Sequence, residues 1–228
     1  MPTYLVIGAS RGIGGAVAAH LAAEGADLYS VSRSASEAGT WIEADVGSVE
    51  GINKVAAALG ERTLDALLFL GGVWEKGAFT EDYDFLEATT EETLQMIAVN
   101  LTGPILLAQR LAKNLAQSQN GRIVLMGSMS GLPNTATREV ANSAAKFGLQ
   151  GAAEALNLSL REHGIAVTVI NPDNVATPEV EEDIATGLFG DQVPIPMADI
   201  TRTIDYILGV SLHAVPTSIS LCQTRPEA

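Results

Sequence analysis

The residues of this chain best suited to chemistry lie near its start, in the turn Gly8-Ala9-Ser10-Arg11-Gly12-Ile13-Gly14. Glycines at 8, 12 and 14 omit the side chains that would block a phosphate, and they stand between a short apolar run and a helical pattern. There the backbone N–H groups of the turn and of the helix start face a pyrophosphate, with Ser10, Arg11 and Ile13 filling the turn. About twenty residues beyond the glycines the next apolar run ends Val31-Ser32-Arg33-Ser34. An NAD site places a carboxylate at that point for the ribose 2′-hydroxyl, whereas an arginine suits a 2′-phosphate. Arg33 and Arg11, with no carboxylate beside them, favour NADPH/NADP+.

Such a turn has to be held by strands and helices, and the pattern supplies them in alternation. Strands are expected at Tyr4–Gly8, Leu28–Ser32, Thr40–Glu43, Leu64–Leu70, Arg122–Met126, Val167–Ile170 and Ser218–Leu221. Helices are expected at Gly12–Glu24, Val49–Leu59, Glu91–Gln117, Val140–His163 and Asp199–Gly209, with Gly25, Gly60, Gly121 and Gly164 as stops. Arg33–Gly39 is too short for a helix between the second and third strands. Pro178–Met197 lacks periodicity, carries three prolines and an acidic cluster, and reads as a substrate lid. These features predict an α/β fold: one Rossmann-like, doubly wound parallel sheet of about seven strands with helices on both faces, in a single domain over 1–228.

Composition narrows the function. The 228 residues hold 13 Lys+Arg and 27 Asp+Glu, a net charge of −14, which disfavours nucleic acid as a partner. With 47% hydrophobic and 18% charged residues the chain is expected to fold compactly. No apolar run approaches the length of a membrane span, and no basic-then-apolar leader opens the chain, so neither membrane nor secretion is expected. Cys222 is the single cysteine, consistent with a cytoplasmic protein. His20, His163 and His213 show no metal-ligand spacing, so no metal is expected.

Several motifs in order then make the sequence resemble the short-chain dehydrogenase/reductase family over nearly its whole length. They are the glycine turn, Asp45-Val46, Val99-Asn100-Leu101-Thr102-Gly103, Gly121-Arg122-Ile123-Val124 leading to Ser128, Lys146-Phe147-Gly148-Leu149, and Pro172-x-x-Val175-x-Thr177. The resemblance implies that Asp45 and Val46 frame the adenine and that Lys146 holds the nicotinamide ribose. It also implies that Val175 and Thr177, following Pro172, hold the carboxamide, and that Asn100 organises a water near the lysine. It further implies that the helices Glu91–Gln117 and Val140–His163 pack against a partner subunit, as a homodimer or homotetramer.

The sequence departs from that family where the chemistry is done. The family's catalytic tyrosine precedes the lysine by four residues, and that position is Asn142. The family's Asn-Asn-Ala-Gly after the fourth strand reads Phe69-Leu70-Gly71-Gly72, leaving Gly71 and Gly72 at the cofactor without two polar anchors, and Asp173 replaces a glycine. Reducing a ketone needs an acid for the alkoxide, and an amide releases no proton at useful pH. Hydride delivery to the β-carbon of an enone or enal instead develops charge on the carbonyl oxygen, which needs hydrogen-bond donors. Ser128 and Asn142 are expected to supply them, with Lys146 adding positive field and Asn100 supporting the lysine. The Asn-Ser pair at the tyrosine site is also similar to a branch of the family containing the dienone and enal reductases of bacilysin- and aeruginosin-type biosynthesis.

The expected activity is thus NADPH-dependent reduction of a conjugated C=C bond in a small biosynthetic substrate. Trp74, Phe79, Met129, Leu132, Leu188 and Phe189 are expected at the mouth, with Arg138 as a grip for a substrate carboxylate or as a plain solvated helix-end arginine. The alternatives are a carbonyl reductase with a substitute acid, for which Tyr83 is the candidate, and an inactive NADP(H)-binding subunit.

Overall fold

A computed structural model of the chain describes residues 1–189 and 192–224. Its strands are β1 (Thr3–Ile7), β2 (Asp27–Ser32), β3 (Thr40–Glu43), β4 (Ala66–Phe69), β5 (Gly121–Met126), β6 (Ile165–Pro172) and β7 (Ser218–Leu221). They form one sheet in the order β3-β2-β1-β4-β5-β6-β7, with every ladder parallel. The helices are α1 (Gly12–Ala23), α2 (Val49–Leu59), α3 (Thr90–Ile97), α4 (Gly103–Leu115), α5 (Val140–Leu160), α6 (Pro178–Ala185) and α7 (Met197–Gly209).

Alternation within each strand sends side chains to two separate cores. Val6, Leu68 and Val124 meet Val17 and Leu21 of α1 and Ile200, Ile204 and Ile207 of α7 on one face. Leu5, Ile7, Leu67, Ile123 and Leu125 meet Ile52 and Val55 of α2, Leu107 and Leu111 of α4 and Leu149 of α5 on the other. Both faces being covered, β4, β5 and most of β6 are buried throughout, which explains why they read as unbroken apolar runs. The strand order reverses between β1 and β4, so the turns after these strands open at the switch point where doubly wound sheets bind ligands.

Four expectations need correction. The run Glu91–Gln117 is not one α-helix: α3 passes through a π-turn, Ala98–Thr102, into α4. Pro104 has no N–H to give the carbonyl four residues back, and the wider turn absorbs that loss. Gly121 does not stop that helix, which ends at Leu115; it opens β5, where a Cβ would come within 2.7 Å of the Leu115 carbonyl oxygen. Leu64 and Leu70 flank β4 rather than extend it. The segment 178–197 begins with α6, whose Thr177 hydroxyl accepts the Val180 N–H and whose first residue is Pro178. None of its residues is buried, so the apolar periodicity that reveals a helix is missing. Gly190 and Asp191 of that segment lie outside the described residues.

Candidate active site

The three glycines of the turn do different work. Gly8 has φ of +84° and its Cβ would stand 2.4 Å from the Gly71 Cα, so the turns after β1 and β4 pass each other at backbone contact. At Gly14 a Cβ would meet the Gly8 carbonyl oxygen at 2.2 Å, which lets α1 start directly under the strand. Gly12, with φ of +54°, is open above: the nearest atom to its Cβ would be Thr177 Cγ2 at 3.9 Å. Arg11 is the N-cap of α1 but gives it no side-chain cap, and the first turn carries no acid. The N–H groups there are thus left for an incoming acceptor, and the residues present fit a dinucleotide pyrophosphate.

Around this turn, Arg33 is exposed just past β2. Arg11 does not point to Arg33; its Nη1 pairs at 3.0 Å with Glu179 of α6, both side chains being well exposed. Asp45 Oδ1 accepts the Gly47 N–H at 2.9 Å, and Val46 beside it is half-buried with its carbonyl against Gly103. Ser10 and Ile13 are half-buried in the turn, Pro172 closes β6, and Val175 bridges to Ile195. Thr177 reaches over Gly12 and caps α6.

Beyond the carboxyl ends of β4 and β5 the polar residues converge. Lys146, buried on α5, donates its Nζ to the Met126 carbonyl at 2.9 Å, and burial pushes its ammonium down to about 8. Gly72 lies alongside, its Cβ position 4.0 Å from that Nζ and 3.4 Å from Asn100 Oδ1. Asn100 projects from the π-turn and is fully engaged: Oδ1 accepts the Val73 N–H at 3.0 Å, and Nδ2 donates to the Val73 carbonyl at 2.8 Å and to Met96 Sδ at 3.9 Å. It fixes the strand-end segment beside the lysine, rather than presenting a free amide. Ser128 Oγ accepts from both the N–H (3.1 Å) and the hydroxyl (2.9 Å) of Ser130. Its own hydroxyl proton is left as a donor.

Asn142 is 1% exposed in the first turn of α5, and neither Nδ2 nor Oδ1 has a hydrogen-bond partner among the described residues. That amide is the site's unspent hydrogen-bonding capacity. The helix start around it is held by Tyr83 and by two acids, Glu75 and Glu139, that the sequence does not single out. Glu75 is 5% exposed, and its Oε1 accepts the N–H groups of Ala141 (2.9 Å) and Asn142 (3.0 Å). Glu139, 2% exposed, accepts the Phe79 N–H at 2.8 Å. The Tyr83 hydroxyl accepts the Val140 N–H at 3.1 Å, so it caps the helix. No local signal marks Glu75, a lone acid after Val73-Trp74; only the tertiary contact with α5 reveals it.

The mouth is less closely assembled. Met129 and Phe189 are half-buried, with Met129 Sδ 4.0 Å from Cys222 Sγ, while Trp74 and Leu188 are largely exposed. Arg138 is exposed and its Nη2 donates to the Tyr83 carbonyl at 3.2 Å, which ties this arginine to the loop in front of α5. Among the described residues no three metal-ligating side chains gather, and no helix is long and apolar enough to cross a membrane.

Strand order, the glycine turn at the switch point and a buried lysine after β5 define a Rossmann-type dinucleotide-binding protein. The sequence model of the short chain dehydrogenase family matches residues 2–186, and the chain belongs to that family. The 3-oxoacyl-acyl-carrier-protein reductase MabA of Mycobacterium avium is 31% identical over 193 residues, covering 81% of this chain and 72% of that protein. The corresponding reductase FabG of Escherichia coli is 30% identical over 203 residues, covering 82% and 77%. Among solved structures, BdcA in complex with NADPH superposes with a TM-score of 0.83 at 20% identity, over 98% of this chain and 94% of that one. This last likeness is one of fold.

Proposed function

We propose that the protein is an NADPH-dependent reductase that delivers hydride to the β-carbon of a conjugated enone or enal in a small substrate. The observation that carries this reading is Asn142: a buried, unpartnered amide where the family has its proton-donating tyrosine. A bound reduced nicotinamide supplies the hydride. Asn142 Nδ2 and the Ser128 hydroxyl donate hydrogen bonds to the substrate's carbonyl oxygen as it becomes an enolate, and Lys146 adds positive field. The α-carbon then takes its proton from water, a step for which no resident acid is needed.

In this reading Gly8, Ser10, Gly12, Ile13 and Gly14 receive the pyrophosphate, Arg33 the 2′-phosphate, and Asp45 and Val46 the adenine, while Arg11 joins Arg33 only by leaving its pairing with Glu179. Gly71 and Gly72 flank the nicotinamide side, Lys146 takes the ribose, and Pro172, Val175 and Thr177 take the carboxamide under a lid at 178–197. Exposed Ile105 on α4 and Phe147 and Leu158 on α5 suit a second copy of the chain. MabA and FabG are named for reduction of a ketone, which makes carbonyl reduction the rival reading. NADPH oxidation with cyclohex-2-enone and with cyclohexanone separates the two. Turnover of the enone alone is expected; equal or preferential turnover of the saturated ketone would reject double-bond reduction.

A further inference from the structure

Four buried polar atoms at the start of α5 have no partner among the described residues: Glu75 Oε2, Glu139 Oε2, Asn142 Nδ2 and Asn142 Oδ1. Glu75 and Asn142 are neighbours, because the other Glu75 oxygen accepts the backbone N–H of Asn142 at 3.0 Å. The pair borders the reacting region, since Val73, two residues before Glu75, is clamped by Asn100, and Gly72 lies beside Lys146. An unpaired buried carboxylate oxygen is costly and calls for a partner. Oε1 is already satisfied by two backbone N–H groups, so the demand falls on Oε2.

The sum of capacities identifies that partner. Once Asn142 Nδ2 is given to the substrate's carbonyl oxygen, what remains is two acceptors, Asn142 Oδ1 and the anionic Glu75 Oε2. Glu139 Oε2, also buried and unpartnered, adds a third at the same helix start. A hydroxyl brings one proton and satisfies one acceptor. An ammonium brings several and cancels the charge. We infer that Glu75 is a substrate-recognition residue, and that the preferred substrate carries a protonated amine close to its conjugated carbonyl, held between Glu75 Oε2 and Asn142 Oδ1. The inference rests on the double-bond reading for the use of Nδ2.

Entry of that group requires the segment in front of α5 to shift, because these atoms are closed to solvent. The same segment carries Phe79 at φ of +65°, a left-handed conformation that a bulky residue adopts only under strain, held by the bond from its N–H to Glu139.

The test uses the full chain saturated with NADP+, which carries no hydride, and calorimetric titration of 5-aminohex-3-en-2-one, 5-hydroxyhex-3-en-2-one and hex-3-en-2-one. The amine is expected to bind about tenfold or more tightly than the other two. Glu75→Gln, which keeps an acceptor for the Ala141 and Asn142 N–H groups, is expected to bring the three within about threefold. Equal affinities in the wild type, tightest binding of the hydroxy ketone, or a preference that survives in Glu75→Gln would each overturn the inference. The wild-type series decides by itself if the variant does not fold. Amine preference without enone turnover would retain this inference and reject double-bond reduction; turnover without the preference would do the reverse.

Discussion

Replacing Asn142 by leucine separates the two things its amide does. Leucine has nearly the shape of asparagine, so the α5 start and its contacts to Glu75, Glu139 and Tyr83 are retained while two unpartnered polar atoms become methyl groups. Each buried unsatisfied group costs roughly 1–3 kcal/mol, and replacing both, less the strain of refitting a crowded site, is worth about 2 kcal/mol. For a chain of 228 residues that raises the melting temperature by about 4–8 °C. Losing one oxyanion donor lowers kcat about 10²- to 10³-fold. The Asn142→Leu variant should therefore melt higher and turn over enones far more slowly, as read by calorimetry and by NADPH oxidation. A lower melting temperature would mean that the amide is satisfied in solution, and an undiminished kcat would remove Asn142 from the chemistry; either result refutes the reasoning.

Enone reduction should decline as pH rises through about 8, where buried Lys146 loses its charge, and Lys146→Arg should move that decline upward. The same depressed value means that between about 8 and the ordinary lysine value of 10.5 only the unfolded chain holds this proton, so this group's contribution to stability grows with pH across that window; denaturant melts at pH 8 and 10 measure it. Gly14→Ala, whose Cβ would lie 2.2 Å from the Gly8 carbonyl, should lose about 3 kcal/mol in thermal unfolding. Gly12→Ala has no contact closer than 3.9 Å but must hold φ of +54°, so it should cost about 1 kcal/mol of stability, stay folded and bind NADPH about tenfold more weakly by fluorescence titration. Tyr83→Phe should cost about 1 kcal/mol through the lost cap of Val140 and leave kcat within about twofold. A hundredfold loss there would make Tyr83 the substitute acid.

What could be read in the sequence was whatever is specified locally. The glycine turn announces itself because Gly8 and Gly12 need positive φ and Gly14 needs a missing Cβ, and the buried strands announce themselves as apolar runs. Asn142 was visible as a departure because its distance from Lys146 along one helix is fixed. The π-turn was hidden, since Pro104 after Gly103 also suits an ordinary helix start, and α6 was hidden because it buries nothing. Glu75 and Glu139 were the deepest omission. Glu75 shortly precedes the acidic stretch Glu81–Glu92, most of which is exposed, and nothing in its own sequence sets it apart from those solvated acids. Only the approach of the β4 loop to α5, a contact between residues far apart in the chain, turns Glu75 into a buried helix cap with a spare oxygen.

The central claim concerns which carbon receives the hydride, and isotope transfer reads it directly. Incubation with NADPH carrying deuterium at nicotinamide C4, followed by NMR of the product from an α,β-unsaturated ketone or aldehyde, locates the label. The arrangement of Asn142, Ser128 and Lys146 predicts deuterium on the β-carbon of a saturated carbonyl product. Deuterium on the carbonyl carbon of an allylic alcohol would contradict it.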